Sequence, residues 1–386
     1  MTKTIAVVAN NCWNIYNFRQ PLLKAYAQAG YRVLVIAPVD EYVKYLDTHY
    51  FARHVPLRHL RPQGKNPLRD LLLFLELWLI LRREKPDLLL TYTVKPNIYG
   101  NLAARWLGLR SIPTLTGLGY VFLHDSLLAR LARGFYQWAM HRADFAFFHN
   151  SSDQALFDRL GVIPRERSAV VPGSGLNTNH FRPLPRPRQD RFVFLFVGRL
   201  LHDKGIVEFA KAAQQLRYRY PNAEYWVAGQ LNADNPSAIA KEQFLNWIAD
   251  GRLRYFGHVP DVRPLLKQCN VMVLPSYREG LSRAITEALS MGRPVITTDA
   301  PGCRHAVSAD CGWQVPVRDA DALALAMENA LQRPAAELEA MGQAARERAV
   351  SIFDERHIVK AYLELAQPAL HPEPQQPVYY AASAGA

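Results

Sequence analysis

The chain has 386 residues, 49% of them hydrophobic and 21% charged, which is enough apolar material for two ordinary cores. Its net charge of +12 is uneven: residues 1–170 carry +10 and the remainder +2, yet no recognition-helix, aromatic-platform or zinc pattern accompanies the cations, so no nucleic acid partner is implied. The four cysteines show no paired spacing, which excludes a disulfide framework and points to a reducing cytoplasm.

Taken in chain order, the N-terminus enters a strand at Thr4–Ala9 without an apolar leader, so no signal peptide is expected. Further strand-like runs follow at Arg32–Ala37, Asp87–Tyr92, Ser111–Leu115, Asp144–His149 and Ser168–Val171, alternating with helical patterns as in a doubly wound parallel sheet. The loop after the first strand is rich in amides: Asn10, Asn11, Asn14 and Asn17 precede Arg19. Each asparagine is readable as a helix cap; as a group, with Arg19, they suit sugar hydroxyls or an acceptor diphosphate. Lys95 and Asn97 follow another strand, and Thr116, Gly117 and Gly119 a third, so these loops are expected at one sheet edge. His124, His141 and His149 are close in sequence, but a packed or surface histidine is the favoured reading for each and no general base is assigned.

Between these elements, Arg53–Arg69 holds five cations and no acid, and is followed by the apolar run Leu71–Leu81. That run is shorter than the roughly 20 residues needed to cross a bilayer. It reads as a core helix or, with the basic stretch, as a surface resting on an anionic leaflet; Leu127–Met140 admits the same two readings. The proline-rich segment Arg182–Arg191 is the predicted linker between domains at 1–181 and 192–352.

The second half repeats the pattern, with strands expected at Phe192–Val197, Glu224–Ala228, Leu253–Tyr255, Val271–Pro275, Pro294–Thr298 and Gly312–Val315. A helix is predicted over 353–366, and the tail 367–386 lacks any pattern and is predicted disordered. After the first of these strands, Gly198 allows a tight turn and Arg199 and Lys204 supply a planar fork and a compact cation, suited to a diphosphate leaving group. The run from Leu274 to Val307 places Glu279 after a strand, and Gly280 then opens a predicted helix whose apolar spacing runs over Ser282–Met291, with Glu287 on it. Amides of Gly280, Leu281 and Ser282 at such a helix start form an anion site. A solvated helix face competes with this reading. A glycosidase pair does not, because two carboxylates eight residues apart on one helix stand about 12 Å apart, beyond the hydrolytic range. No carboxylate cluster suited to magnesium is visible, so neither metal nor cofactor is expected.

These motifs, together with TYTVKPNIYGNLAARWLGL, TGLGYVF and VPGSGLNTNHF, resemble glycosyltransferase family 4, retaining enzymes of the GT-B fold, and in particular the bacterial branch acting on undecaprenyl-diphosphate-linked saccharides of capsules, O-antigens or protein glycans. The resemblance covers about residues 4–366 and implies two Rossmann-like domains facing a cleft, the last helix returning to the first. It also implies transfer of an N-acetylhexosamine or hexose from a UDP-linked donor to a lipid-linked saccharide. Glu279 is then expected to contact the transferred sugar, Glu287 the ribose, and Arg199 and Lys204 the diphosphate. Gly198, Gly229, Gln230, Gly257 and His258 complete the donor site, and Asn14, Asn17, Arg19, Lys95, Asn97, Thr116 and Gly117 line the acceptor wall. The implied location is cytoplasmic, at the inner face of the cell membrane, through the basic first domain. Two positions depart from the family pattern: Thr116 where a histidine is common, and Asn177 where an acid is common. A sugar-nucleotide 2-epimerase of the same fold, or a sugar-binding protein, is the alternative.

Overall fold

The computed structural model describes residues 2–46, 52–61, 66–117, 127–141, 143–185, 190–231, 235 and 237–366. The chain forms two α/β units: residues 1–175 joined by the segment that starts at Glu355, and Leu176–Asp354.

In the first unit β1 (Thr4–Val8), β2 (Arg32–Ala37), β3 (Ala52–Pro56), β4 (Leu88–Tyr92), β5 (Ser111–Leu115), β6 (Ala146–Phe148) and β7 (Ser168–Val170) form one sheet in the order β3-β2-β1-β4-β5-β6-β7. Every pairing is parallel. β1, β4 and β5 are buried along their whole length, as a parallel sheet with helices on both faces requires. Side chains alternate between the faces: Ile5 and Val7 join one core with Leu90 and Tyr362, while Ala6 and Val8 join another with Leu73, Leu77 and Leu81. β3 stands where the sequence predicts a basic loop starting at Arg53. It is an edge strand, with Arg53 exposed and reaching Glu84, so it lacks the continuous apolar run that marks the inner strands.

The second unit holds β8 (Phe192–Val197), β9 (Ala223–Ala228), β10 (Arg254–Tyr255), β11 (Val271–Leu274), β12 (Val295–Thr298) and β13 (Gly312–Val315), all parallel, in the order β10-β9-β8-β11-β12-β13. Strand order reverses between β1 and β4 in the first sheet and between β8 and β11 in the second, and open α/β sheets bind ligands at the carboxyl ends of strands beside such a reversal.

The chain crosses between units at Gly175/Leu176 and at Asp354/Glu355, which corrects the expected boundary at the proline-rich segment. Leu176 donates its backbone N–H to the Phe353 carbonyl at 2.8 Å, and Leu176 and Phe181 are both buried in the second core. Proline marks a stiff stretch, but packing decides the border. The last helix is Glu355–Ala366, not 353–366, because Phe353 is wholly buried in the second core. Tyr362 of this helix sits with its ring 4.4 Å from that of Phe147 and its hydroxyl 2.6 Å from Thr114 Oγ1, and Tyr26 donates to its carbonyl at 3.1 Å. Residues 186–189 of the predicted linker and the predicted tail 367–386 lie outside the described residues.

Candidate functional site

At the carboxyl end of β8, Gly198–Gly205 forms a loop ending in a single turn at His202–Lys204. At the end of neighbouring β11, Pro275–Ser282 forms a second loop. The two are tied together by the Tyr277 N–H, which donates to the Asp203 carbonyl at 2.9 Å. Across this tie Lys204 Nζ pairs with Glu279 Oε1, and Ser276 Oγ donates to the same oxygen at 2.8 Å. Side-chain exposure is 19% for Lys204 and 12% for Glu279. The structure thus joins two residues 75 positions apart into an ion pair at the switch point of the second sheet.

Two glycines make this approach possible. Gly205 has φ +74°, and a Cβ there would lie 2.1 Å from the Pro275 oxygen; Gly302 has φ +79°, and a Cβ would lie 2.2 Å from the Glu279 oxygen. The Glu279 N–H in turn donates to the Pro301 carbonyl at 3.0 Å. Gly302→Ala is therefore expected to lower the unfolding free energy by about 1–3 kcal/mol, from left-handed strain and the displaced Glu279 backbone together. Denaturant unfolding of the variant measures it.

The helix after this loop spans Arg283–Ser290 with Ser282 as N-cap, so it starts three residues after Gly280 rather than at it. Gly280 remains in the loop, half-buried, beside Leu281, and Ser282 is buried. Glu287 lies one turn into the helix, paired with Arg283 Nε at 2.8 Å. Burial pushes the Glu287 carboxyl above the usual carboxylate range, and Arg283 draws it back only in part.

The other residues expected at the donor site lie at the ends of β8, β9 and β10. The Gly198 N–H donates to Ala228 at 3.0 Å, Gly229 to Gly257 at 2.8 Å, and Leu200 to Gln230 at 3.0 Å. Arg199 and His258 are exposed, and Arg199 has no carboxylate partner among the described residues. Ser276 was missed in the sequence reading. Its spacing of three from Glu279 is the usual distance for a side chain to reach across one turn of a loop, and it was available as a signal.

In the first unit Asn11 is a helix cap: its Oδ1 accepts the Asn14 N–H at 2.8 Å. Asn14 Oδ1 is buried without a hydrogen-bond partner, and Asn17 Nδ2 donates to the Trp13 carbonyl at 2.9 Å. Arg19 is only 2% exposed; its guanidinium lies 3.8 Å from the centre of the Tyr92 ring, with no carboxylate partner among the described residues. Two of the residues expected on the acceptor wall already have partners within the unit. Lys95 is held by Asp70 at 2.5 Å, and Asn97 is buried with its Nδ2 donating to the Thr114 carbonyl at 2.9 Å. Neither partner is near in sequence, so the loop position alone suggested free side chains. Thr116 and Gly117 are half-buried just past β5; Gly119 and His124 lie outside the described residues. His149 is buried at the end of β6, whereas His141 is exposed.

Residues 21–174 match the Glycosyltransferase Family 4 model, and residues 178–348 match the model for Glycosyl transferases group 1. The chain belongs to the family 4 glycosyltransferases. The family's two matched segments correspond closely to the two units. Among similar proteins, the N,N'-diacetylbacillosaminyl-diphospho-undecaprenol alpha-1,3-N-acetylgalactosaminyltransferase of Campylobacter jejuni is 28% identical over 91% of this chain and 95% of its own. The Escherichia coli UDP-Gal:alpha-D-GlcNAc-diphosphoundecaprenol alpha-1,3-galactosyltransferase is 27% identical over 66% of this chain and 68% of its own. Among solved structures, Anabaena HepE in complex with UDP has a TM-score of 0.75 and 18% identity over 95% of this chain and 99% of its own. Sucrose-phosphate synthase from Thermosynechococcus elongatus has 0.77 and 21% over 94% and 98%. The fold of this glycosyltransferase is GT-B.

Proposed function

We propose that this glycosyltransferase moves an N-acetylhexosamine or hexose from a UDP-linked donor to an undecaprenyl-diphosphate-linked saccharide, with retention at the anomeric carbon, in assembly of a bacterial surface polysaccharide or glycan. The observation that carries the reading is the Lys204–Glu279 pair at the switch point of the second sheet, supported by similarity to transferases whose names specify acceptors of this type. Arg199 and Lys204 hold the donor diphosphate, with the amides of Gly280, Leu281 and Ser282. As the glycosidic bond to the diphosphate breaks, these groups stabilise the charge that develops on its oxygen. Glu279 orients the sugar and offsets positive charge on its ring, Glu287 accepts from the ribose, and Gly198, Gly229, Gln230, Gly257 and His258 line the nucleotide.

On the acceptor side, Asn14, Asn17, Arg19, Lys95, Thr116 and Gly117 are the contacts, with Asn97 fixing the Thr114 strand end. No helix among the described residues is long and apolar enough to cross a membrane; the enzyme works at the inner face of the cell membrane as a peripheral protein, drawn there by its basic first unit.

The test is incubation of the purified protein with a panel of nucleotide sugars and an undecaprenyl-diphosphate-linked saccharide, following UDP release and the anomeric configuration of the product. One donor consumed only with acceptor present, giving a retained linkage, is the expected result. Conversion of the donor without acceptor would replace this reading by an epimerase.

A further inference from the structure

We propose that the Pro67–Glu84 helix docks the first unit onto an anionic bilayer by burying a second apolar face in the head-group edge of the leaflet. The proposal rests on the reading above, whose peripheral placement it deepens by naming the surface that makes the contact.

The helix is apolar on two opposite sides. With 3.6 residues per turn, Leu73, Phe74, Leu77, Ile80 and Leu81 form one stripe, and these side chains are buried in the core. Leu68, Leu71, Leu72, Leu75 and Leu79 share an arc of about 100° on the far side, and they are 39–66% exposed. A surface helix of a water-facing unit normally carries polar residues there.

Charge selects the occupant. All three carboxylates of the helix are engaged by the protein: Asp70 by Lys95, Glu76 by the backbone N–H groups of Arg58 and His59 and by the His59 ring, and Glu84 by Arg53, Arg32 and Arg83. Arg69 and Arg82 are exposed and have no carboxylate partner among the described residues. The leucine stripe is therefore flanked by cations with no compensating acid, which suits an anionic leaflet. Two copies meeting across a two-fold axis would set these cations against each other.

Aromatic residues extend the surface. Trp106, 61% exposed, meets Phe74 edge-on at 5.1 Å. Beside it Arg105 lies over the exposed Trp138 ring at 5.2 Å and donates to the Trp138 carbonyl at 3.0 Å. Indole rings and arginines are the side chains favoured at the boundary between hydrocarbon and head groups.

The experiment is co-sedimentation of the full chain with phosphatidylcholine vesicles, with and without phosphatidylglycerol, at low and high salt. The triple variant Leu71→Ser/Leu75→Ser/Leu79→Ser and the single variant Leu79→Ser are run alongside, with thermal melting to confirm folding. The wild type is expected to bind the anionic vesicles, the triple variant to bind at least about tenfold more weakly at either salt, and the single variant to fall between. Quenching of tryptophan fluorescence by brominated lipid is expected to decrease in Trp106→Phe. Wild-type binding that vanishes at high salt, variants that bind like the wild type, or a self-association that the triple variant abolishes would each overturn the proposal. Transfer to a detergent-dispersed acceptor is measured in parallel. Its failure alone would remove the transferase reading and leave the docking surface standing, while normal transfer with no vesicle binding would do the reverse.

Discussion

Lys204→Ala is expected to lower kcat/KM for the donor by about 10²–10³-fold, the range seen when one preorganised charge-stabilising group is removed from a catalytic site. The side chain sits at the switch point, mostly shielded from water, where an electrostatic contact is worth more than in bulk solvent. It is also the cation that compensates Glu279, so its removal leaves a carboxylate with Ser276 as its remaining side-chain partner. Glu279→Ala is expected to lower the rate over a similar range. Because the two groups share one contact, the double variant Lys204→Ala/Glu279→Ala should lose much less than the product of the single losses. Steady-state kinetics on the four proteins, with melting curves to separate unfolding from lost catalysis, gives the cycle. Wild-type rates in the singles, or losses that multiply in the double, would remove this pair from the catalytic machinery.

A second large effect is expected in stability against pH, and it comes from His149. The ring is 3% exposed at the end of β6, its Nε2 is buried without a hydrogen-bond partner, and Arg19 faces it. Burial, with a smaller repulsion from Arg19, pushes its pKa from 6.5 down to about 3. The native state therefore keeps the ring neutral where the unfolded chain has already taken up a proton. The stability contribution is complete above pH 6.5 and is lost progressively as pH falls toward 3. A shift of this size corresponds to at most about 4–5 kcal/mol over the whole window. Urea unfolding of the wild type and of His149→Gln, near pH 7 and near pH 4, checks it. The wild type should lose several kcal/mol more than the variant between the two conditions, and parallel losses would refute the assignment. The burial also explains why this histidine, tempting as a base from its place after a strand, suits packing instead.

The same distinction between local pattern and distant partner runs through the rest of the molecule. The inner strands were legible because a parallel sheet covered on both faces demands continuous apolar runs, and β1, β4, β8 and β11 have them. β3 was not, since an edge strand tolerates Arg53 and His54 and so imitates a loop. The helix carrying Glu287 was legible from its spacing, but its first turn was placed too early: a glycine shows where a chain can bend, whereas the contact of Gly302 with the Glu279 backbone fixes where it does.

By itself the sequence determined the class of the protein: two α/β repeats, a basic loop after one strand, and a glutamate-bearing loop after another. These are short-range patterns, set by strand and helix periods and by turn chemistry. Only the tertiary structure decided which charges are already spent. It joined Lys204 to Glu279 and Lys95 to Asp70, turned Asn97 inward, left Arg19 buried without a carboxylate among the described residues, and exposed a second row of leucines on a helix that also packs the core. Each of these depends on residues brought together from tens of positions apart, and the energy of a charge or an apolar side chain depends on what it faces rather than on its neighbours in the chain.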